Sequence, residues 1–152
     1  MGIYLDNQAT TPMSDEVKAV YLEALGTIGN PSAVHQAGQR ARAQVEDARA
    51  RVATALGCDT VEVIFTSGGT EAINQALKGA VWAKKRSEGR DAITRVVTTG
   101  AEHNATLDAL GWLAEQEGTD IVYAALTSEA VIDLVHLESI LENQEVTMVR
   151  RR

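Results

Sequence analysis

One stretch of the sequence, Thr66-Ser67-Gly68-Gly69-Thr70-Glu71, combines two glycines with hydroxyl side chains. It follows a β-branched run at residues 61–65 that predicts a strand, and it opens a helical pattern over residues 70–84. The free N–H groups and positive end of a helix can hold a phosphate there, and glycines let the backbone approach it. A plain strand-to-helix turn capped by serine or threonine explains the same residues. Since the stretch is neither Gly-x-x-x-x-Gly-Lys-[Ser/Thr] nor Gly-x-Gly-x-x-Gly, the sequence does not support an NTPase or dinucleotide site.

A second candidate for chemistry, Ala101-Glu102-His103-Asn104, lies where the next predicted strand ends and a helix begins. Because the carboxyl ends of parallel strands share one edge of a sheet, this loop and the glycine turn are expected to face one crevice. His103 could there stack on a flat cofactor ring or transfer protons near neutral pH, whereas a histidine at a helix start also serves as a cap. His35 and His136 are distant in sequence and give no metal-ligand spacing, so no metal is expected.

These two loops belong to a chain in which predicted helices and strands alternate. Apolar residues at helical spacing, with Ser14 as a cap and Gly57 as a stop, predict helices over residues 15–25, 36–56, 70–84, 104–116 and 134–141. Short β-branched runs predict strands over residues 61–65, 94–98, 120–124 and 145–149. Glycine, proline and charge predict loops at residues 26–34 and 87–93. The alternation predicts an α/β fold with a mostly parallel sheet, right-handed crossovers and flanking helices.

The composition is that of an ordinary globular chain, with 152 residues of which 45% are hydrophobic and 23% charged. A net charge of -7 argues against binding to nucleic acid or to an anionic membrane. No segment approaches the roughly 20 apolar residues that span a bilayer. A single cysteine, Cys58, leaves neither an internal disulfide nor a Cys-x-x-Cys motif and indicates a reducing, cytoplasmic compartment.

Several segments together resemble the cysteine desulfurases of the class V aminotransferase group. The stretch Tyr4-Leu5-Asp6-Asn7-Gln8-Ala9-Thr10-Thr11-Pro12 resembles the opening signature of that family. The family's next loop, its phosphate turn and its cofactor-stacking segment are similar to Gly29-Asn30-Pro31-Ser32 with His35, to residues 63–71, and to Glu102-His103 with Leu107-Asp108. These matches keep the family's order and spacing to about Val149.

The resemblance implies a definite chemistry. Family members use pyridoxal phosphate (PLP) as an electron sink and remove sulfur from L-cysteine, which leaves alanine and an enzyme persulfide for iron–sulfur cluster assembly or tRNA thiolation. Carried over by position, Gly69 and Thr70 would contact the PLP phosphate. His103 would stack on the pyridine ring and assist proton transfer, as the catalytic residue. By the same resemblance, Asn7, Ala9 and Thr10 would lie near the entrance to the site.

Other family residues have no counterpart in this sequence. The Schiff-base lysine, the acidic partner of the pyridine nitrogen and the cysteine that receives the sulfur come later in the family than Val149, where this sequence turns to Arg150-Arg151-Arg152. The lysines that are present are expected on solvated helix faces, and they are Lys18, Lys78, Lys84 and Lys85. Cys58 is expected to be an inert thiol. The chain is therefore interpreted as a truncated cysteine desulfurase that is inactive alone and in which PLP binding is weak or lost.

Two other interpretations stay open. One is a non-catalytic interaction module that pairs with a C-terminal half or an intact desulfurase, or that forms a homodimer as family members do. The other is a different class V PLP enzyme, a selenocysteine lyase or an aminotransferase, in which Thr70 and His103 keep their roles. For architecture, the resemblance implies part of the large domain of fold type I PLP enzymes over residues 34–152. Residues 1–33 are expected to form an N-terminal arm and first helix on the small-domain side.

Overall fold

The structure is a computed structural model that describes residues 3–143 and 148–149. The chain forms two compact units that divide between Ile64 and Phe65. The first unit contains helices α1 (Asp15–Leu25) and α2 (Gln36–Leu56) and a 3₁₀ turn (Thr60–Glu62). The second contains α3 (Gly69–Glu88), β1 (Arg95–Thr98), α4 (Asn104–Glu117), β2 (Asp120–Tyr123), α5 (Leu134–Asn143) and β3 (Met148–Val149).

The first unit is built on its two helices. The Ser14 hydroxyl accepts a hydrogen bond from the Val17 N–H at 3.3 Å and so caps α1, as predicted, yet α1 has no buried residue. Helix α2 ends at Gly57, whose φ of 68° lies in the left-handed region that favours glycine, which confirms the predicted stop. The buried apolar side chains of this unit, within the described residues, are Ala41, Ala53 and Val63.

The loop before α2 packs against the first turns of that helix with little space between them. A β-carbon at Gly38 would lie 2.4 Å from the carbonyl oxygen of Ala33, and one at Gly29 would lie 2.4 Å from that of Ala37. The Asn30 side chain also accepts a hydrogen bond from the Ser32 N–H at 2.9 Å, which tightens the loop. Both glycines are therefore required by close backbone packing.

The strand predicted over residues 61–65 is wrong. The segment begins with the 3₁₀ turn, continues without regular structure and pairs with no strand in the described part of the chain. The Glu62 carboxylate accepts from the Asp59 N–H at 2.7 Å, and the Glu62 N–H donates back to the Asp59 carbonyl at 2.9 Å. This local pair of hydrogen bonds closes a turn where β-branched residues alone indicated a strand, and it leaves Val61 86% exposed.

The second unit contains a three-stranded sheet in the order β2-β1-β3. Both pairings are parallel, with Val96 opposite Ile121 on one side and opposite Met148 on the other. This confirms the predicted α/β fold with a mostly parallel sheet. Parallel neighbours require a crossover, and α4 supplies the one between β1 and β2.

Consecutive residues of β1 point to opposite faces, so both faces of the sheet are covered. Val96 packs with Leu77 and Val81 of α3 and with Leu110 and Leu113 of α4. The next residue, Val97, lies on the other face of the sheet and forms a cluster with Ala124, Leu137 and Ile140. The helices flank the sheet as predicted, which is the layering expected of a doubly covered parallel sheet.

Most element boundaries agree with the predictions. Helices α1 and α2 have the predicted bounds, while α3 extends to Glu88, so that the loop predicted at residues 87–93 begins only at Gly89. Of the last predicted strand, Met148–Val149 forms β3, and residues 145–147 lie outside the described residues. Among the described helices, none is long and apolar enough to span a bilayer.

Candidate functional site

The glycine turn leads directly into α3, as its pattern predicted, although an irregular segment replaces the predicted strand before it. The first intrahelical hydrogen bond runs from the Ala72 N–H to the Gly68 carbonyl at 3.1 Å. The N–H groups of Gly69, Thr70 and Glu71 therefore have no intrahelical acceptor. A β-carbon at Gly68 or Gly69 would meet nothing within 4 Å, so the space beside the turn is open. These N–H groups and the helix dipole can receive an anion.

Glu71 fixes the shape of this turn. Its carboxylate oxygen Oε2 accepts from the Ser67 hydroxyl at 2.7 Å and from the Ser67 N–H at 2.6 Å. These two hydrogen bonds, that from the hydroxyl first, lower the pKa of Glu71. Because Ser67 is bonded to Glu71, the groups left to meet a ligand are the Gly68–Gly69 backbone and Thr70. Sequence reasoning missed this role of Glu71, because the glutamate follows the serine by four residues and the capping-box signal requires a spacing of three.

His103 is the N-cap of α4. Its Nδ1 accepts a hydrogen bond from the Ala105 N–H at 3.0 Å, and its carbonyl accepts from the Thr106 N–H at 2.8 Å. The imidazole is thus fixed by backbone contacts while the residue remains exposed. The structure thus confirms the alternative that His103 serves as a helix cap. Because the cap uses Nδ1, the Nε2 atom is available to another group.

The structure places the glycine turn and His103 on the same edge of the sheet. Helix α3 ends at Glu88, close in sequence to the amino end of β1. The first turn of α3 therefore lies toward the other end of this strand, which is its carboxyl end. Helix α4 begins at that carboxyl end, six residues after Thr98. The two helices pack against each other through Leu77, Val81 and Leu110. Two helix N-termini therefore face the carboxyl edge, where α/β proteins bind ligands.

A buried hydroxyl lies at this edge. The Thr98 side chain is 2% exposed, and its oxygen has no hydrogen-bond partner within the described residues. Because side chains alternate along a strand, Thr98 points to the same face as Val96, which is the face that α3 and α4 cover. A buried hydroxyl usually has a partner, so this one marks a polar position at the carboxyl edge.

A cavity of about 390 Å³ adjoins the loop that carries His103. Thr99, Ala101 and Glu102 line it from the loop after β1. Leu126, Val131 and Ile132 line it from the segment between β2 and α5, and Leu134 and Leu137 line it from α5. Sequence reasoning missed this cavity, because the segment after β2 carries no motif. Its folding depends on the Leu126–Ile132 bridge and on the Ala125 N–H, which donates to His136 Nδ1 at 2.8 Å.

The chain's lysines are engaged on helices α1 and α3. Lys18 pairs with Asp15 at 2.9 Å on an exposed surface, as expected of a solvated face. That expectation is wrong for Lys84 and Lys85, whose side chains are only 12% and 17% exposed. The Lys84 ammonium pairs with Glu88, and the Lys85 ammonium pairs with Glu117.

The remaining predicted site residues lie in the first unit. The Tyr4 hydroxyl lies 2.7 Å from the carbonyl oxygen of Asp6 and 3.1 Å from that of Thr10. These contacts close a turn that presents Asn7 and Ala9, both exposed, in one short loop. Cys58, which follows the end of α2, is a half-buried free thiol.

The second unit is an α/β fold in which the glycine turn opens α3 and His103 caps α4. A family model described as Aminotransferase class-V matches residues 3–150. The chain therefore belongs to the class V aminotransferase family.

Several relatives of this chain are named as cysteine desulfurases. The chain is 39% identical over 142 residues to an IscS-like cysteine desulfurase of Mycobacterium tuberculosis, an alignment that covers 93% of this chain and 36% of the relative. Among solved structures, a NifS-like protein superposes with a TM-score of 0.79 at 33% identity over 92% of this chain and 37% of that one. A second solved structure, named SspA in complex with cysteine, superposes with a TM-score of 0.74 at 28% identity. This superposition covers 90% of this chain and 38% of that one. The chain thus spans about a third of the length of the curated relatives it matches.

Proposed function

We propose that this chain supplies the phosphate-binding turn and the ring-stacking histidine of a cysteine desulfurase-type PLP site. The observation that carries the proposal is the opening of α3, where three N–H groups without intrahelical acceptors lie beside open space. The class V aminotransferase family, to which the chain belongs, is PLP-dependent. The residues present fit the cofactor, since a glycine turn and the Thr70 hydroxyl open α3, and the buried Thr98 hydroxyl at the end of β1 has no hydrogen-bond partner within the described residues.

In the proposed site, α3 would hold the phosphate. The N–H groups of Gly69 and Thr70 and the Thr70 hydroxyl would donate hydrogen bonds to its oxygens, and the helix dipole would favour its negative charge. Glu71 keeps its carboxylate bonded to Ser67, which holds the turn open toward the ligand.

His103 would hold and move a proton beside the cofactor ring. Its Nδ1 accepts from the Ala105 N–H, so the neutral imidazole carries its proton on Nε2. An anchored ring with one free nitrogen is suited to stacking and to general acid–base work. Asn7, Ala9 and Thr10 are proposed to lie near the entrance of the site, and residues 1–33 and 34–152 to belong to an arm and to part of the large domain.

For the whole reaction, we propose L-cysteine as the substrate, with alanine and a persulfide for iron–sulfur cluster assembly or tRNA thiolation as products. PLP, when bound, supplies the electron sink for breaking the carbon–sulfur bond. None of the 152 residues matches the family's Schiff-base lysine or acceptor cysteine, so a polypeptide of these residues alone is expected to be inactive. The proposal includes a cytoplasmic location, where a free thiol such as Cys58 stays reduced.

The first test is a titration of the purified 152-residue chain with PLP, followed from about 330 to 430 nm before and after borohydride. We expect saturable binding without reductive trapping at a specific lysine. Thr70→Ala should weaken binding by about tenfold, because it removes one hydrogen bond to a charged group. Pyridoxal, which lacks the phosphate, should bind more weakly than PLP.

His103→Ala is the matched control for the phosphate turn. It should change the absorbance of bound PLP and leave competition by inorganic phosphate unaltered, because His103 is proposed to touch only the ring. Equal affinity for PLP and pyridoxal, or an unchanged affinity in Thr70→Ala, would show that the turn does not bind phosphate. If borohydride trapped one equivalent of PLP on a single lysine, the interpretation that this sequence lacks the Schiff-base lysine would be wrong.

A second candidate function, a non-catalytic module that pairs with a desulfurase or with another copy, is favoured by α1. This helix buries none of its residues and exposes its large apolar side chains, which are Val17, Val20, Tyr21, Leu22 and Leu25. Surfaces of this kind mark interaction sites. Co-purification with an intact desulfurase, lost in a Val20→Glu/Leu22→Glu variant, would support it, whereas a stable monomer at low concentration would count against it.

A further inference from the structure

The outer surface of α3 and α4 collects both tryptophans of the chain. Trp82 on α3 and Trp112 on α4 have ring centroids 6.4 Å apart with an interplanar angle of 82°, an edge-to-face contact. They remain 46% and 39% exposed. The packing of the two helices is supplied beneath them by Leu77, Val81 and Leu110. Two large aromatic rings thus remain partly exposed at the surface.

Cationic side chains surround this pair. The Lys78 ammonium lies 4.1 Å from the centroid of the Trp112 ring. Lys85, Arg86 and Arg90 lie on the other side of Trp82. We call Lys78, Trp82, Lys85, Arg86, Arg90 and Trp112 the tryptophan surface.

One carboxylate orders the tryptophan surface. Glu117 accepts from the Trp82 indole N–H at 2.8 Å and from the Lys85 ammonium at 3.0 Å. The hydrogen bond from Trp82, followed by that from Lys85, lowers the pKa of Glu117. Arg86 and Arg90 have no ion-pair partner within residues 3–143. The surface therefore keeps an excess of positive charge on a chain whose net charge is -7.

Trp82 stands between two surface depressions. One of about 690 Å³ is lined by Trp82, Lys85, Arg86, Arg90 and Glu117. The other, of about 490 Å³, is lined by Glu71, Asn74, Gln75, Lys78, Gly79 and Trp82. Gly79 leaves the second depression open, because a β-carbon there would meet nothing within 4 Å. A partner could thus contact both sides of one exposed aromatic ring.

We infer that the tryptophan surface docks an acidic segment of a protein partner. Tryptophan and arginine are the residues most enriched at the energetic centres of protein interfaces. The excess of positive charge is complementary to carboxylates and would orient such a segment. The net charge of -7 repels any polyanion at longer range, and this repulsion is greater for a nucleic acid, whose charge density is higher than that of a short acidic segment.

The test uses the fluorescence of the full chain, whose only two tryptophans both lie on this surface. Titration with a ten-residue oligoglutamate peptide should give a saturable change that weakens as salt increases. The Arg86→Glu/Arg90→Glu variant should lose at least about tenfold in affinity. Arg40→Glu/Arg42→Glu, the same charge change on exposed positions of α2, should bind like the unmodified chain.

Two substitutions of Gly79 provide a matched pair of variants that tests the same surface without removing any side-chain contact. Gly79→Glu should weaken binding several-fold by placing a carboxylate in the depression, and Gly79→Ala should not, although the added β-carbon meets nothing within 4 Å in either variant. Absence of a fluorescence change, or equal affinity in the Arg86/Arg90 and Arg40/Arg42 variants, would overturn the inference. Tighter binding of a ten-nucleotide DNA strand than of oligoglutamate would overturn it in favour of nucleic acid. None of these results depends on PLP.

Discussion

At the scale of single residues, Glu71 carries more of the candidate site's structure than its motif suggested. Its carboxylate accepts from both hydrogen-bond donors of Ser67, the N–H and the hydroxyl, so the glycine turn is fixed by an interaction within the same six residues. Asn74 adds to it by donating to the Thr70 carbonyl at 3.0 Å. A turn shaped by its own residues can keep its geometry even where the strand before it is absent.

Glu71→Gln is expected to flatten the acid branch of the stability profile. The folded pKa of Glu71 is lowered from its ordinary value of 4.5, so this carboxylate adds stability above that value and the contribution is lost as pH falls through the folded pKa. The group is exposed, so the effect is small and screened by salt. Urea unfolding midpoints measured between about pH 3 and pH 7 should therefore depend less on pH in Glu71→Gln.

Glu115→Gln, which makes the same substitution at an exposed position of α4, provides the control. A Ser67→Ala variant should resemble Glu71→Gln, because it removes the hydroxyl that contributes most to the lowered pKa. If Glu71→Gln kept the full acid dependence, the Ser67–Glu71 hydrogen bonds would not form in solution.

At the scale of elements, the sequence predicts helices well where local signals agree. Ser14 and Gly57 mark ends that the structure reproduces, because caps act within a few residues. The strand predicted over residues 61–65 was wrong because β-branched residues form a strand only where a neighbouring strand can pair with them. The local sequence does not show whether such a neighbour exists. The tryptophan surface was missed for a similar reason, since Trp82 and Trp112 meet only through the packing of α3 on α4.

Gly38→Ala is expected to destabilise the first unit by about 1–3 kcal/mol, the usual cost of overpacking. The added methyl would lie 2.4 Å from the Ala33 carbonyl oxygen and 2.6 Å from that of Asn30, and both are backbone atoms that cannot rotate away. The measurement is the free energy of unfolding in urea.

Gly79→Ala is the matched control for Gly38→Ala, since it makes the same substitution in open space. It should stabilise the chain by up to about 1 kcal/mol through helix propensity. Equal stability of the Gly38→Ala variant and the unmodified chain would mean that the loop before α2 can move away from the helix.

At the scale of the whole molecule, burial is distributed unequally between the two units. The second unit buries large side chains such as Leu77, Leu110 and Leu113 almost completely. The buried apolar side chains described for the first unit are two alanines and Val63, and α1 contributes none. The unit that carries Gly69, Thr70 and His103 therefore has the stronger core, which is a suitable support for a binding site.

This inequality predicts the pattern of amide hydrogen exchange. Amides of β1 and of the middle of α4 should exchange slowest, because their opening requires disruption of the Val96 cluster. Amides of α1 should exchange at least about a hundredfold faster, since opening this helix exposes no buried side chain. Mass spectrometry of peptides from the intact chain measures both. Protection of α1 equal to that of α4 would show that its apolar face is covered in solution, and dilution would then reveal whether a second copy covers it.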